Sequence, residues 1–380
     1  MAVGISEESS GWDRTLLYGS SLCAEPICTV AYWAYRVVAP LDPMKFDNCQ
    51  NRIVEAALRL FTVVLALAAT VTVVIPLTLL ALGVASKVLR AAGFALQKNG
   101  YTHVRGDLPE ATLTDGRAKL MTWNVCGIGA GLHYDHGGVN HWSSRVDEIS
   151  AKIIAENPDV LVLQEIYDTA FAEALIQKLK SHYAHIYFHL GPNTLGSVGG
   201  GMVLTKCAVH SFSSASFDNN SWQLNRTLAC LEIKASPEAL VPCARIIGTH
   251  LIDENYNKQM EQWTQIKNFF ETQEQKIPTV LLGDLNLERD KPMEGGLLGV
   301  DLEHSYVGLE PTRTAKLLEQ WDKNLVDSGD FIDYISRFIK DCPDAVQLKD
   351  AHLVKAYTDD YDTTTASSDH NALAATLCGL

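Results

Sequence analysis

Leu281-Leu282-Gly283-Asp284-Leu285-Asn286 is the stretch that decides the expected fold, because a short apolar run ends there in a carboxylate and an amide. Such a run is typical of a buried β-strand whose polar end lies at the edge of a sheet. Asp284 and Asn286 are two residues apart, so an extended chain presents both on one face. A strand followed by an ordinary Asx turn has the same sequence signature, so this stretch alone leaves both interpretations open.

Five other stretches have the same form, with an acid, amide or imidazole at or near the end of an apolar run. They are Met121–Asn124, Val160–Glu165, Ile246–His250, Phe331–Tyr334 and Ser368–Asn371. Strands packed side by side bring such ends together, so we expect these polar groups to line one cleft. From residue 117 onward, strand-like and helix-like segments alternate in a mixed order, which predicts an α/β fold of two sheets packed face to face with helices outside.

The secondary-structure elements are predicted from apolar periodicity and from caps. Strands are expected at 119–123, 160–163, 186–189, 202–205, 228–233, 246–250, 279–282, 332–335 and 372–377, and helices at 141–156, 170–182, 255–272 and 314–325. The first helix should begin with a cap at Ser143 or Ser144 and end at Asn157-Pro158.

Composition limits the classes of partner. The 380 residues carry a net charge of −14, and 47% of them are hydrophobic. Residues 1–100 contain eight Lys/Arg and seven Asp/Glu, so nearly all of the negative charge lies in 101–380. An acidic domain does not attract a polyanion over long range, so a nucleic-acid partner is disfavoured. The nine cysteines are scattered without a C-x-x-C pair, which indicates reduced thiols in a reducing compartment.

An uncharged run from Leu60 to Ser86 dominates the N-terminal part. As a helix it would reach roughly 40 Å, more than the roughly 30 Å of a bilayer core. We therefore predict a membrane-associated region at 1–96, a polar linker at 97–116 and a catalytic domain at 117–380, with a membrane lipid bilayer as partner and no protein partner inferable. Pro76 leaves a kinked span and a re-entrant hairpin both open, and a buried core helix is a third alternative.

A metal site is expected around Glu165, because a carboxylate at the end of an apolar strand is costly to bury without a partner. A hard cation such as Mg²⁺, or Mn²⁺, would stabilise it, and Asn124 would supply a neutral oxygen from the neighbouring strand. Asp369 is expected near the same ion. The alternative for Glu165 is an ion-paired structural role.

His250 and His370 are the histidines that we select as catalytic candidates. An imidazole with a pKa near neutrality takes a proton from water, and a carboxylate fixes its tautomer. Asp333 is the candidate for that carboxylate beside His370. For any single histidine, a hydrogen-bonded position in the core is the alternative.

Taken in order, six motifs resemble the endonuclease/exonuclease/phosphatase superfamily. They are W-N-V at Trp123–Val125, L-Q-E at Leu163–Glu165, G-T-H at Gly248–His250, G-D-L-N at Gly283–Asn286, I-D-Y at Ile332–Tyr334 and S-D-H at Ser368–His370. The resemblance covers about 117–380. It implies a DNase I-like fold, a four-layered α/β sandwich, and metal-assisted hydrolysis of a phosphoester.

Within that superfamily the chain is similar to the neutral sphingomyelinases. L-Q-E-I-Y-D at Leu163–Asp168 resembles their L-Q-E-V-F-D, and the apolar N-terminal region resembles that of their membrane-associated forms. A departure lies at Leu224–Thr227, where Arg226 stands in place of the family's lysine and Ser221 in place of its aspartate. Arg226 would meet a phosphate with more donors than a lysine.

The resulting hypothesis is a membrane-associated, Mg²⁺-dependent phosphodiesterase that hydrolyses a phospholipid headgroup ester, as a sphingomyelinase or phospholipase C does. In it, Glu165, Asn124 and Asp369 hold the ion, and Arg226 binds substrate. His370, oriented by Asp333, deprotonates water, Asp284 and Asn286 position that water and the phosphate, and His250 donates a hydrogen bond to the phosphate.

Three alternatives stay open. A phosphoinositide phosphatase or another phosphate-monoester phosphatase would use the same metal site. A nuclease would require a basic, aromatic-interleaved surface, which the sequence does not suggest. A catalytically inactive, membrane-anchored binding module is the alternative outside enzymology.

Overall fold

The computed structural model describes residues 11–38, 64, 74–97, 100–127, 139–191, 199–219, 225–253, 255–272, 276–287, 302–304, 312–313, 332–338, 345–356 and 366–380. The predicted helix at 314–325 lies outside these residues, as do residues 60–63 and 65–73 of the apolar run.

In the described part of the chain, two long N-terminal helices precede a domain of two β-sheets. The helices are α1 (Trp12–Val38), α2 (Val74–Leu96), α3 (Trp142–Glu156), α4 (Thr169–Leu179) and α5 (Tyr256–Glu271). The strands are β1 (Thr102–Arg105), β2 (Arg117–Gly127), β3 (Val160–Ile166), β4 (His185–Phe188), β5 (Met202–Thr205), β6 (Val209–Ser216), β7 (Thr227–Ile233), β8 (Ala244–His250), β9 (Thr279–Asp284), β10 (Leu302–His304), β11 (Asp333–Phe338), β12 (Gln347–Val354) and β13 (Ala372–Cys378).

Both sheets mix parallel and antiparallel pairs. The seven-stranded sheet has the order β1-β4-β5-β3-β2-β13-β12, and the six-stranded sheet has the order β10-β11-β9-β8-β7-β6. In each sheet one central pair is parallel, β2 with β3 and β8 with β9, and the other pairs are antiparallel. Parallel neighbours end at the same edge of a sheet, so each sheet brings two carboxyl-terminal strand ends together.

Three apolar clusters separate four layers. Met121 and Leu161 pack under α3 and α4, whereas their sequence neighbours Leu120 and Val162 fill the space between the two sheets. Leu281 packs with Trp263 of α5 on the far side of the second sheet. Successive strand residues point to opposite faces, so strands covered on both sides read as continuous apolar runs. The order helix, sheet, sheet, helix confirms the predicted α/β sandwich.

The first predicted helix is confirmed, but its cap is not the predicted serine. α3 begins at Trp142, and the ring Nδ1 of His141 accepts the hydrogen bond from the amide of Ser143. The predicted end is confirmed, because Asn157 adopts the left-handed conformation (φ 56°) that ends helices.

The predicted linker at 97–116 is wrong for its central part. Residues 102–105 form β1, which pairs antiparallel with β4 and joins the edge of the larger sheet. His103 is buried at 2% exposure and lies 3.2 Å from His185 of β4, nitrogen to nitrogen. The ordered domain therefore begins before residue 117.

α1 and α2 pack against each other and against the sheet domain. The hydroxyls of Ser20 on α1 and Ser86 on α2 lie 3.1 Å apart. Gly93 of α2 packs closely against Leu17 of α1, because a Cβ on Gly93 would lie 2.7 Å from the Leu17 side chain. On its other side α1 makes polar contacts with α4, including an ion pair between Arg14 and Glu173.

Within the described part of the chain, Leu77–Leu96 is the one stretch of helix long and apolar enough to cross a bilayer. The cysteines that the structure describes with their side chains, at positions 23, 126, 207, 230, 243 and 378, carry free thiols.

Candidate functional site

The polar strand ends meet at one edge of the sandwich. Asn124 lies near the end of β2 and Glu165 near the end of β3, while His250 and Asp284 end the parallel pair β8 and β9. β11 and β13 run antiparallel to their neighbours, so Asp333 and the segment Asp369-His370 lie where these strands begin. Both sheets therefore deliver their polar residues to the same cleft.

Asp284 lies at the centre of this cleft and is 1% exposed. Its Oδ2 accepts a hydrogen bond from Nδ2 of Asn124 at 3.0 Å, which joins the two sheets. The same oxygen lies 3.5 Å from Nε2 of His250 and 3.9 Å from Nε2 of His370. Burial, and then the neighbouring Asp333, raise the pKa of Asp284 to about 7.

Gly283 allows Asp284 to reach this position. Its φ of 151° lies in a region that side-chain-bearing residues rarely adopt, and a Cβ there would stand 1.9 Å from the carbonyl oxygen of Thr249 on β8. After Asp284 the chain turns through Asn286, which has a φ of 51° and donates its amide to Oδ1 of Asp284 at 2.9 Å. The G-D-L-N stretch is thus a strand end followed by an Asx turn.

His370 and Asp333 form a buried pair. Nδ1 of His370 lies 2.8 Å from Oδ2 of Asp333, and its Nε2 faces the cleft at 4.0 Å from Asp369. Burial lowers the pKa of His370, but Asp333, Asp369 and Asp284 together raise it to about 10. A divalent cation beside these carboxylates would oppose that rise, because it favours the neutral imidazole.

His250 is held neutral between a cation and an amide. Burial, and then the charge of Arg226, lower the pKa of His250 far below its ordinary value. Nη1 of Arg226 lies 2.6 Å from Nδ1 of His250, and a guanidinium only donates, so Nδ1 is the acceptor. The ring proton therefore sits on Nε2, which faces the carboxylate of Asp284 at 3.5 Å.

The side chains of Glu165, Asp369 and Asn124 line the other side of the cleft. Glu165 has a φ of 64°, an uncommon conformation for a glutamate that turns the end of β3. Burial, and then the charge of Asp369, raise the pKa of the Glu165 carboxyl, against the opposing effect of Arg226 and a hydrogen bond from Asn124. Two buried carboxylates fit a hard divalent cation such as Mg²⁺, whereas Oδ1 of Asn124 accepts a hydrogen bond from the amide of Cys126 at 3.0 Å and its Nδ2 donates to Asp284.

A second group of ligand atoms overlaps the first. Among the described residues, ligand atoms of Asp284, Asp333 and His370 all lie within 4.8 Å of one another. Part of this proximity is the pairing of His370 with Asp333 already described. The whole cleft is therefore rich in groups that a cation would stabilise.

Two residues of the cleft were not predicted from the sequence. Tyr167 accepts a hydrogen bond from Nη1 of Arg226 through its phenol oxygen, although the two residues are far apart in the chain. Thr312 connects the start of β11 with the start of β13. Its hydroxyl accepts a hydrogen bond from the amide of Asp333 at 3.2 Å, and its carbonyl accepts one from the amide of Asn371 at 2.7 Å. Tyr167 lies within the L-Q-E-I-Y-D motif, so its position was the available signal. Thr312 lies in a polar stretch without periodicity and offers none.

Comparisons with known proteins agree with this geometry. A sequence model of the Endonuclease/Exonuclease/phosphatase family matches residues 121–336. A comparison with curated proteins finds no match.

Solved structures with a similar fold include beta toxin from Staphylococcus aureus, in a variant with bound magnesium ions, at 20% identity and a TM-score of 0.53, covering 69% of this chain and 99% of that chain. SmcL is 21% identical with a TM-score of 0.53, and the match covers 70% of this chain and 100% of that chain. Sphingomyelinase C from Streptomyces griseocarneus is 20% identical with a TM-score of 0.50, and the match covers 68% of this chain and 99% of that chain. At these identities the likeness shows the fold.

Proposed function

Because the chain belongs to the endonuclease/exonuclease/phosphatase family, it is a phosphoric ester hydrolase, and we propose that it cleaves the headgroup ester of a membrane phospholipid. The products would be ceramide or diacylglycerol and a phosphorylated headgroup. The observation that carries this proposal is the docking of an apolar helix pair beside the mouth of the cleft. A fold shared with a sphingomyelinase C supports it.

Of the helix pair, α1 touches the segments around α3 and α4 at this end of the sandwich. The amide of Thr169, four residues after Glu165, donates to Oγ of Ser21 on α1 at 3.0 Å. Oε1 of Glu25 lies 3.0 Å from Nε2 of His141, which precedes α3. The N-terminal helices therefore lie close to the end of the sandwich where the cleft opens.

An apolar stripe on α2 supports a lipid surface as the partner. Leu77, Leu80, Val84 and Val88 are 58%, 63%, 56% and 61% exposed, and their spacing places them along one side of the helix. Exposed apolar stripes of this kind mark contacts with lipid or protein. A catalytic domain held at a bilayer meets its lipid substrate at high effective concentration, so we place the protein at a membrane, with the catalytic domain in a reducing compartment.

The residues of the cleft take the following roles in the proposal. Glu165 and Asp369 would hold Mg²⁺, with Asn124 beside them, and the ion would supply Lewis-acid stabilisation of the negative charge that develops during hydrolysis. His370, oriented by Asp333, takes a proton from the attacking water.

The remaining groups bind the phosphate and the water. Nε2–H of His250 donates to a phosphate oxygen, and this hydrogen bond strengthens as negative charge builds up. Arg226 lies behind His250 and adds a positive charge, while Asp284 and Asn286 position the water.

The test is an assay of the purified full chain with Mg²⁺ on vesicles of sphingomyelin, phosphatidylcholine or phosphoinositides and on duplex DNA, with His370→Ala as the inactive control. Release of phosphocholine that is lost in the control supports the proposal. Inorganic phosphate would instead indicate a monoester phosphatase, nicked DNA a nuclease, and no product a binding module.

The membrane part has a separate test. Leu80→Glu/Val84→Glu should abolish flotation of the full chain with phosphatidylcholine vesicles, because both side chains lie in the exposed stripe. Leu240→Glu/Val241→Glu is the matched control, since these residues are 90% and 65% exposed but lie between β7 and β8. Equal flotation of both double variants would contradict a lipid contact at α2.

A further inference from the structure

Arg145 carries a charge on the buried face of α3. The residue is 3% exposed and shares that face with Val146, Ile149 and Ile153. Burying a guanidinium in an apolar layer is costly unless its N–H groups meet acceptors. The hydrogen-bond partners of Arg145 therefore indicate what its charge is for.

The hydrogen bonds of Arg145 all end on main-chain carbonyl oxygens. Nε donates to Asn140 at 2.6 Å, Nη2 donates to Cys126 at 2.6 Å, and Nη1 donates to Val125 at 2.9 Å and also to Ser367. These carbonyls belong to three separate segments of the chain. One planar group thus ties the three segments together.

Two of those segments carry the candidate metal ligands. Val125 and Cys126 directly follow Asn124, and Ser367 stands two residues before Asp369. The two segments also touch directly, since Oγ of Ser368 donates to the carbonyl of Asn124 at 2.7 Å. Arg145 therefore lies behind the cleft and holds both sides of it.

The local backbone shows why a clamp is needed. Cys126 has a φ of 47°, which is uncommon for a residue with a side chain, and its amide donates to Oδ1 of Asn124 at 3.0 Å. This turn fixes the side chain of Asn124, whose Nδ2 donates to Asp284 in the cleft at 3.0 Å. The carbonyl of Cys126 is one of the acceptors of Arg145, so the clamp acts on the turn itself.

We propose that Arg145 is a positioning residue that fixes Asn124 relative to Asp369, and so sets the affinity of the site for its divalent cation. The inference rests on the metal site of the proposed function. It concerns a residue that touches neither ion nor substrate. A lysine would keep the charge, but its donors sit on a single nitrogen at the end of a flexible stem, so it would lack the spread with which Nε, Nη1 and Nη2 of Arg145 reach the three segments.

A merely structural role for Arg145 is the competing explanation, and Arg245 provides the matched control. Arg245 is also 3% exposed, and it donates to Glu232 through Nε at 3.0 Å and Nη2 at 2.7 Å. It lies near the start of β8, five residues before His250. Loss of its fork should cost stability without touching the cleft.

The experiment measures Mg²⁺ binding to the full chain by calorimetry and by the rise in melting temperature, for the wild type, Arg145→Lys and Arg245→Lys. We expect Mg²⁺ binding of Arg145→Lys to weaken about 10- to 100-fold, the usual effect of losing a group that orients metal ligands. Arg245→Lys should bind Mg²⁺ as the wild type does, even where it lowers the melting temperature.

Wild-type affinity in Arg145→Lys would overturn the inference, and so would an equal loss in Arg245→Lys. If Arg145→Lys does not fold, Arg145→Gln, which keeps a planar group with two N–H donors, is judged by the same criteria. Absence of Mg²⁺ binding in the wild type would instead contradict the metal site of the proposed function. Calorimetry needs no substrate, so a wrong lipid assignment leaves this test intact.

Discussion

Asp333 and Asp284 face each other across the antiparallel pair β9 and β11, and His370 lies beside both. Asp333 is 2.8 Å from Nδ1 of the ring and Asp284 is 3.9 Å from Nε2. The two carboxylates therefore act on different nitrogens. Asp333 sets the tautomer and orientation of the ring, and Asp284 lines the side of the cleft on which Nε2 would meet water.

Asp333→Asn should lower kcat about 10²- to 10⁴-fold, because the amide keeps the shape of the carboxylate but no longer fixes the tautomer of His370. Steady-state hydrolysis of the preferred ester measures this. Asp159→Asn is the control. Asp159 precedes β3 and accepts a hydrogen bond from the backbone amide of Lys119 at 2.8 Å, at the end of the sheet opposite the cleft. A similar fall in both variants would show a general structural effect.

Arg226→Lys should lower kcat/KM about 10- to 100-fold, since a hydrogen bond to or from a charged group contributes about 1.5–3 kcal/mol. Nη1 of Arg226 contacts both Tyr167 and His250, and an ammonium on the flexible stem of a lysine would not be held in the same position. Tyr167→Phe removes only the phenol contact, so its effect should be smaller than that of Arg226→Lys. Unchanged kcat/KM in Arg226→Lys would remove this residue from the site.

Gly283→Ala should destabilise the fold by about 3 kcal/mol, because the new Cβ meets the carbonyl of Thr249 and the backbone conformation is strained. Denaturant unfolding measures the change. Gly19→Ala is the matched control, as the nearest atom to its Cβ would be Cδ1 of Leu89 at 3.5 Å, and alanine favours a helix by up to about 1 kcal/mol. A loss of unfolding free energy in Gly283→Ala no larger than that in Gly19→Ala would mean that β8 and β9 separate easily.

The stability contributed by two buried histidines, His103 and His189, should fall as pH drops below about 6.5. Burial, and then nearby cationic groups, lower the pKa of His103 to about 4 and that of His189 to about 3. Below pH 6.5 the two histidines bind more protons in the unfolded chain than in the folded chain. The stability that they contribute is therefore full above pH 6.5 and is lost toward their folded pKa values. Each group contributes up to about 1.4 kcal/mol per pH unit.

The free energy of unfolding, measured by denaturant between pH 7.5 and 4.5, tests this expectation. His189→Asn should make the decline shallower, because asparagine tolerates the left-handed conformation of His189 (φ 51°) and does not titrate. An identical slope in this variant would show that other groups govern acid unfolding.

The strands that carry the site could be predicted because their signal is local. Val160–Leu163 and Leu281–Leu282 are short apolar runs followed by an acid, and a run buried on both faces needs no distant information to be recognised. The meeting of Glu165, Asp284 and His370 at one edge then follows from the way parallel and antiparallel strands end.

β1 and α1 could not be predicted in the same way. Thr102–Arg105 is short, lies among glycines and polar residues, and becomes a strand through its pairing with β4. α1 runs through Pro26, which alone would suggest an interruption. Contacts such as that of Tyr167 with Arg226 join segments distant in the chain, and neither segment signals the other.

The short strand β1 also bears on how the catalytic domain can be produced by itself. β1 covers β4, and Arg105 at its exposed end discourages further strands from adding there. A shortened chain that starts at residue 117 would leave the peptide groups of His185–Phe188 open along one rim. Such a fragment would add strands from its own copies and precipitate or form ribbons, whereas one that starts before Tyr101 keeps that rim closed.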